Sequence, residues 1–135
     1  MKYLFDADAF FETARRRGNA KVKRWAAGLL PAQIFLCPIL VAEYVRGVQL
    51  LPPGPARIEE LRFLIRALKV FQWAVLDTRT ASRFATARNS LPKGVTVPDN
   101  DTWKAALAMR HGLTLATHNL RHFQHFPIRI FDPFR

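Results

Sequence analysis

Short apolar runs alternate along this chain with longer segments of helical period, and that alternation constrains the fold more than any other feature. Tyr3 to Phe5 is an apolar run that stops at Asp6, and Ala7 to Arg16 then carries a helical pattern, broken at Gly18. Val22, Trp25, Ala26 and Leu29 recur at helical spacing, giving a second helix up to about Leu30. Ile34 to Leu36 forms another short strand. Pro38 suits the first turn of the next helix, whose apolar stripe is Val41, Tyr44, Val45 and Val48. Leu51 to Pro55 is a turn, too short for a domain linker. Ile58, Leu61, Leu64, Ile65 and Leu68 then mark an amphipathic helix.

The second half repeats the alternation. Trp73 to Leu76 reads as a third strand, and Ala81, Phe84 and Arg88 sit on the helix after it. Pro92 to Pro98 is a loop. A helix runs from about Asp99 to His111 and stops at Gly112, the residue suited to a helix C-terminus. Leu113 to Ala116 gives a fourth strand and Arg129 to Phe131 a fifth. Strands separated by helices predict an α/β fold with a mainly parallel sheet of four or five strands, covered on both faces. A length of 135 residues suits a single domain over 1–135. Right-handed crossovers bring the strands' C-terminal ends to one edge, where ligands bind in open sheets of this kind.

Half of the residues are hydrophobic, which is enough for a buried core. No apolar run is long enough to span a membrane, and Asp6 interrupts the N-terminal apolar stretch before a signal peptide could form. A cytoplasmic protein is expected. The single cysteine, Cys37, can form no internal disulfide and no thiolate cluster, and its neighbours Leu36 and Pro38 predict a buried thiol. Twenty-one Lys and Arg against ten Asp and Glu give a net charge of +11. A field of that sign attracts polyanions, nucleic acid first among them, although an acidic protein partner is a second explanation. Single clusters, such as Arg15, Arg16 and Arg17, are equally compatible with solvated helix faces.

Against that background the acids stand out. Asp6 follows the first strand, Asp101 opens the helix leading to the fourth, and Thr117 with Asn119 follows the fourth. Glu43 lies in the first turns of the helix after strand two, between its stripe residues. Asp8 and Asp99 each lie two positions from one of the aspartates. Carboxylates brought into one crevice repel, by about 4 kcal/mol per pair at ~4 Å and an effective dielectric near 20. A divalent cation relieves that cost. Oxygen donors suit Mg²⁺ or Mn²⁺, and an ion so held supports phosphodiester hydrolysis. Each acid also has a plainer explanation, since Asp6, Asp99 and Asp101 could cap helices and Glu43 could face solvent.

His118, His122 and His125, with His111 nearby, raise a zinc site, but no cysteine assists and the segment must turn into the last strand. Surface, RNA-contact or proton-transfer roles suit these histidines better. Trp25, Trp73 and Trp103 could stack on bases, yet their spacing fits packing roles.

Four stretches together carry a family resemblance. Lys2 to Asp8 resembles the opening of PIN domains of the VapC toxin type. Ile39 to Gly47, with its Ala42-Glu43 pair, is similar to their second motif. Asn100 to Ala106 followed by His111 to Thr117 resembles the long C-terminal signature, and Arg121-His122-Phe123 with Ile130 to Pro133 completes it. The resemblance spans the chain in the right order. It implies a PIN-like three-layer α/β/α sandwich, usually dimeric, that cleaves RNA with Mg²⁺ or Mn²⁺ and is inhibited by a VapB-like antitoxin laid over the site. The antitoxin would then cover apolar helix faces near Trp25, Leu29 and Tyr44. Position by position, the resemblance makes Asp6 and Asp101 metal-binding aspartates and Glu43 their acidic partner. Thr117 and Asn119 fall where the family has a hydroxyl and often a fourth acid. Asn119 departs from the pattern by bringing no charge, which Asp8 or Asp99 would have to supply. Lys104 departs too, standing where an apolar residue is common, to reach a substrate phosphate or point to solvent. The competing readings are a catalytically silent module that binds RNA or an antitoxin-like protein, and a housekeeping RNA-processing nuclease.

Overall fold

The computed structural model describes all 135 residues. Five strands form one sheet in the order β3-β2-β1-β4-β5, and every pairing is parallel. The strands are β1 (Tyr3–Phe5), β2 (Ile34–Leu36), β3 (Gln72–Trp73), β4 (Thr114–Ala116) and β5 (Ile130–Phe131). The α/β sandwich is therefore as expected, with the sheet wholly parallel. All three residues of β4 are buried, as are Leu4 and Phe5 of β1. Successive strand side chains point to opposite faces, so both faces of the sheet centre are covered.

Seven helices make the covering layers: α1 (Ala7–Ala14), α2 (Ala20–Ala27), α3 (Pro38–Gln49), α4 (Pro55–Val70), α5 (Thr78–Asn89), α6 (Asp99–His111) and α7 (Leu120–Phe123). Helix α1 packs against α2, α3 and α4, and α5 lies along α6. Asn19 caps α2 by accepting the Lys21 and Val22 N–H groups at 2.9 and 3.2 Å. Asp77 and Thr80 cap α5 reciprocally: the Thr80 N–H donates to Asp77 Oδ1 at 2.9 Å and the Asp77 N–H to Thr80 Oγ1 at 3.1 Å. Gly112 ends α6 with φ at 65°, the left-handed conformation that glycine adopts without steric cost.

Several boundaries and faces differ from the sequence reading. Helix α1 stops at Ala14, ahead of the close turn at Gly18, and α2 stops at Ala27, with Gly28 as its C-cap and Leu30 extended before Pro31. The third strand is Gln72–Trp73 instead of Trp73 to Leu76, and Trp73 is exposed at the sheet's edge rather than packed. Trp25 does pack, stacked on Phe5 with ring centroids 5.2 Å apart, and Trp103 stacks on Phe84 at 4.1 Å. The apolar stripe of α4 is mostly uncovered: Ile58, Leu61, Ile65 and Leu68 are between 37% and 52% exposed, while Leu64 and Ala67 face the core. Tyr44 lies wholly inside, stacked on Phe11 and edge-on to Phe10, so it offers a partner no surface. Cys37 is a buried thiol, and burial pushes its pKa up to about 11.

A candidate active site at the carboxyl edge of the sheet

The ladder between β1 and β4 continues one step past the strands, with the Asp6 N–H donating to the Ala116 carbonyl at 3.0 Å. The Thr117 N–H likewise donates to the Phe131 carbonyl at 3.0 Å. Parallel pairing thus fixes Asp6 and Thr117 side by side at the sheet's C-terminal edge. Asp6 also caps α1: its Oδ1 accepts the Ala7 N–H at 2.8 Å, and its carbonyl accepts the Phe10 N–H at 3.0 Å. The capping role and the site role are filled by the same residue. Its second oxygen, Oδ2, accepts the Thr117 hydroxyl at 2.7 Å.

Three acids meet at one point, and a lysine stands there. Lys104 Nζ lies 2.5 Å from Asp6 Oδ1, 2.5 Å from Glu43 Oε1 and 3.6 Å from Asp101 Oδ1. Asp101 and Lys104 are one helical turn apart on α6, so both face the sheet edge. Glu43, in the second turn of α3, reaches the same place from β2's side. The Lys104 side chain is 2% exposed, so it neither points to solvent nor waits on the surface for a phosphate. Burial by itself would lower its pKa, but the adjacent Asp6 and Glu43 charges outweigh burial and raise it, so the ammonium stays charged.

A second layer of contacts surrounds this centre. His122 Nδ1 lies 2.6 Å from Asp101 Oδ2, and Asn119 Nδ2 lies 2.8 Å from the same ring nitrogen. The carboxylate has no proton to give, so Nδ1–H donates to Asp101, and the amide group of Asn119 must then present its oxygen. The Asn119 N–H donates to Thr117 Oγ1 at 3.0 Å. Asp8 is held beside the pair, its Oδ2 accepting the His118 N–H at 2.9 Å and lying 3.3 Å from the Thr117 hydroxyl. Burial, then the Asp6 charge, push the Asp8 carboxyl up to about 6.

The expected residues therefore converge with one exception. Asp99 is 77% exposed and pairs with Arg88 on α5. Two positions before Asp101 on a helix is more than half a turn away, so it faces elsewhere and adds no charge to the centre. Two residues of the cluster have a place that the sequence reading did not give them. Lys104, expected at a substrate phosphate or in solvent, stands one turn after Asp101 and directly before the apolar run Ala105 to Ala108, and that position alone does not announce the acids around it. His122 follows Asn119 by three positions on α7, but its neighbours His118 and His125 suggested a histidine set instead. The histidines in fact have separate partners: His118 pairs with Asp132 at 2.9 Å and His111 with the Val75 carbonyl at 2.8 Å.

The donor set is all oxygen, which suits Mg²⁺ or Mn²⁺ and not zinc. Glu43 Oε1 is buried and makes no aligned hydrogen bond; its one close polar neighbour is the Lys104 ammonium at 2.5 Å, which holds the place a cation would take. No group of three His, Cys, Asp or Glu side chains is placed to hold a metal ion as the site stands, and Lys104 Nζ lies within 3.6 Å of all three carboxylates. An ammonium standing among three carboxylates marks the place as one built for positive charge.

The PIN-domain family model matches residues 3–128. The chain belongs to the PIN-domain family. Over 96% of both chains this PIN domain is 30% identical to the plasmid stability protein StbB of Pseudomonas syringae pv. tomato and 29% identical to toxin FitB of Neisseria gonorrhoeae. It is 28% identical over 82% of its length to ribonuclease VapC1 of Rickettsia felis, covering 81% of that protein. Among solved structures, FitAB bound to an IR36 DNA fragment superposes with a TM-score of 0.84 at 26% identity, over 98% of this PIN domain and 96% of the other chain.

Proposed function

We propose that this PIN domain is a metal-dependent endoribonuclease and the toxin of a type II toxin–antitoxin pair. The convergence of Asp6, Glu43 and Asp101 on one point at the sheet's carboxyl edge carries the reading. Relatives named as a toxin and as a ribonuclease support it, as does the +11 charge that draws RNA towards an acidic pit. Asp6, Glu43 and Asp101 would hold Mg²⁺ or Mn²⁺, with Asn119 and Asp8 beside them. A bound ion there supplies polarisation of a phosphate oxygen and a more acidic water. The chain's own residues do the positioning: Thr117 fixes the Asp6 carboxylate, and His122 fixes that of Asp101.

The partners follow from the same reading. A VapB-like antitoxin is the expected inhibitor, in keeping with the FitAB complex, and the uncovered apolar stripe of α4 is the surface offered to it. A homodimer and a single domain over 1–135 belong to the proposal as well. No helix of the protein is long and apolar enough to cross a membrane.

One observation favours a second reading. Lys104 fills the centre of the acidic cluster, which suits a catalytically silent module that binds RNA or an antitoxin-like protein. Purified protein incubated with total RNA in Mg²⁺, Mn²⁺ or EDTA, beside an Asp6→Asn, Asp101→Asn variant, separates the two. Discrete fragments that require metal and vanish in the variant establish the nuclease. RNA binding that survives in the variant, with no cleavage under any metal, establishes the silent module.

A further inference from the structure

We infer that Lys104 is a built-in counter-ion of the carboxylate cluster, a positioning residue that assembles the site without metal and competes with the divalent cation for it. The inference rests on reading the cluster as a cation site, and goes further by assigning Lys104 a role against that cation. Three observations carry it. Lys104 Nζ touches carboxylates from three separate elements: Asp6 after β1, Glu43 on α3 and Asp101 on α6. The side chain is buried along its whole length, so it is fixed there by packing and does not reach solvent or a bound strand. Its nearest oxygens, Asp6 Oδ1 and Glu43 Oε1, are those a cation at the convergence point would need.

Removing a carboxylate's neighbouring charge from a buried group leaves that group uncompensated. With Lys104 present, the acids need no metal to stay together, so the cluster is preorganised in the metal-free protein. The same charge opposes entry of a second cation a few ångströms away, because like charges repel strongly at that distance in a partly desolvated site. The chain thereby trades metal affinity for a site that is folded before metal arrives. A divalent ion enters only by pushing the ammonium aside.

The test uses Lys104→Met, an unbranched side chain one atom shorter that removes the charge, and Lys104→Gln as a second, polar replacement. Free Mn²⁺ is measured by electron paramagnetic resonance in titrations of each protein, and thermal unfolding is followed in EDTA and in Mn²⁺. Lys104→Met should bind Mn²⁺ on the order of tenfold or more tighter than wild type. It should also melt earlier than wild type in EDTA and recover with Mn²⁺, whereas the wild-type melting temperature should barely respond. Equal Mn²⁺ affinity in wild type and variant overturns the inference, whatever the cleavage assay shows. Tight Mn²⁺ binding by the variant without RNA cleavage in any form upholds the inference and removes the nuclease reading alone. Should Lys104→Met unfold in both media, Lys104→Gln decides by the same two readouts; unchanged affinity there overturns the inference.

Discussion

His122 Nδ1 donates to Asp101 Oδ2 across 2.6 Å and so ties the short helix α7 to the first turn of α6. A carboxylate with one oxygen fixed by a ring donor cannot rotate freely, so the other oxygen stays aimed at the cluster. Loss of such an orienting partner typically costs metal sites 10–100-fold. On the proposed nuclease reading, His122→Ala is therefore expected to lower the rate of metal-dependent RNA cleavage by about 10–100-fold, with circular dichroism unchanged. A fully active variant would show that Asp101 needs no such tether.

Thr117 contributes in a different way. Its hydroxyl is the donor to the buried Asp6 Oδ2, and nothing else donates to that oxygen. Thr117→Val keeps the shape and strips the donor, leaving a buried acceptor unpaired at a cost of about 1–3 kcal/mol. Urea unfolding of the metal-free protein measures it, and an unchanged midpoint counts against the bond's importance.

Between α1 and α2 the chain turns so closely that a Cβ on Gly18 would lie 1.9 Å from the Glu12 carbonyl oxygen. The obstacle is backbone, which cannot swing away as a side chain can. Gly18→Ala should destabilise the protein by about 1–3 kcal/mol, as overpacking commonly does. Differential scanning calorimetry would reveal it as a lower melting temperature.

Asp77 has a pH signature. The Arg110 guanidinium, then the Thr80 N–H, hold its carboxyl well below the usual carboxylate range. A depressed folded-state pKa means stability that is present above the unfolded value, near 3.9, and lost as pH falls through the folded value. Asp77→Asn keeps the helix cap and removes only the charge. The variant should be slightly less stable than wild type at neutral pH, and the gap should close in strong acid and in high salt. A gap that is constant from pH 7 to pH 2 would exclude the ion pair as its source.

Adjacent positions on α4 are expected to respond in opposite ways. Leu64→Ala opens a cavity in the core and should cost about 2–5 kcal/mol. Ile65→Gln, on the uncovered stripe, should change stability by no more than about 0.5 kcal/mol. Chemical denaturation of the isolated protein compares the two, and a large loss at Ile65 would mean that the stripe is covered.

That contrast also shows where sequence ceases to inform. Hydrophobic periodicity correctly placed a helix on α4, yet the period says only that an apolar face exists, not what covers it. The strand–helix order, the stop at Gly112 and the placement of Asp6 beside Thr117 were legible, because local pattern and parallel topology dictate them. Lys104 was not. Its burial depends on Asp6, 98 positions away, and on Glu43 from another helix, and no local rule for lysine anticipates a set of acids gathered by the fold. Asp99 failed for the converse reason: its closeness to Asp101 in sequence hides the helical rotation that turns it towards Arg88. His122 was obscured by its neighbours, since a run of histidines invites a shared role that the partners of each do not support.

The pairing of β1 with β4 bears on when the protein can act during its own synthesis. Asp6 and Thr117 are 111 positions apart, so at ~5–20 residues per second the ribosome takes roughly 6–22 s to make the second after the first. Until β4 has emerged, β1 lacks one of its two neighbours and Asp6 lacks its Thr117 donor, while Asp101 and Lys104 are still in or near the exit tunnel. Of the cluster, a nascent chain carrying the first hundred residues holds only Asp6, Asp8 and Glu43. The cluster is in this sense a full-length property, and translation that aborts early releases fragments without it.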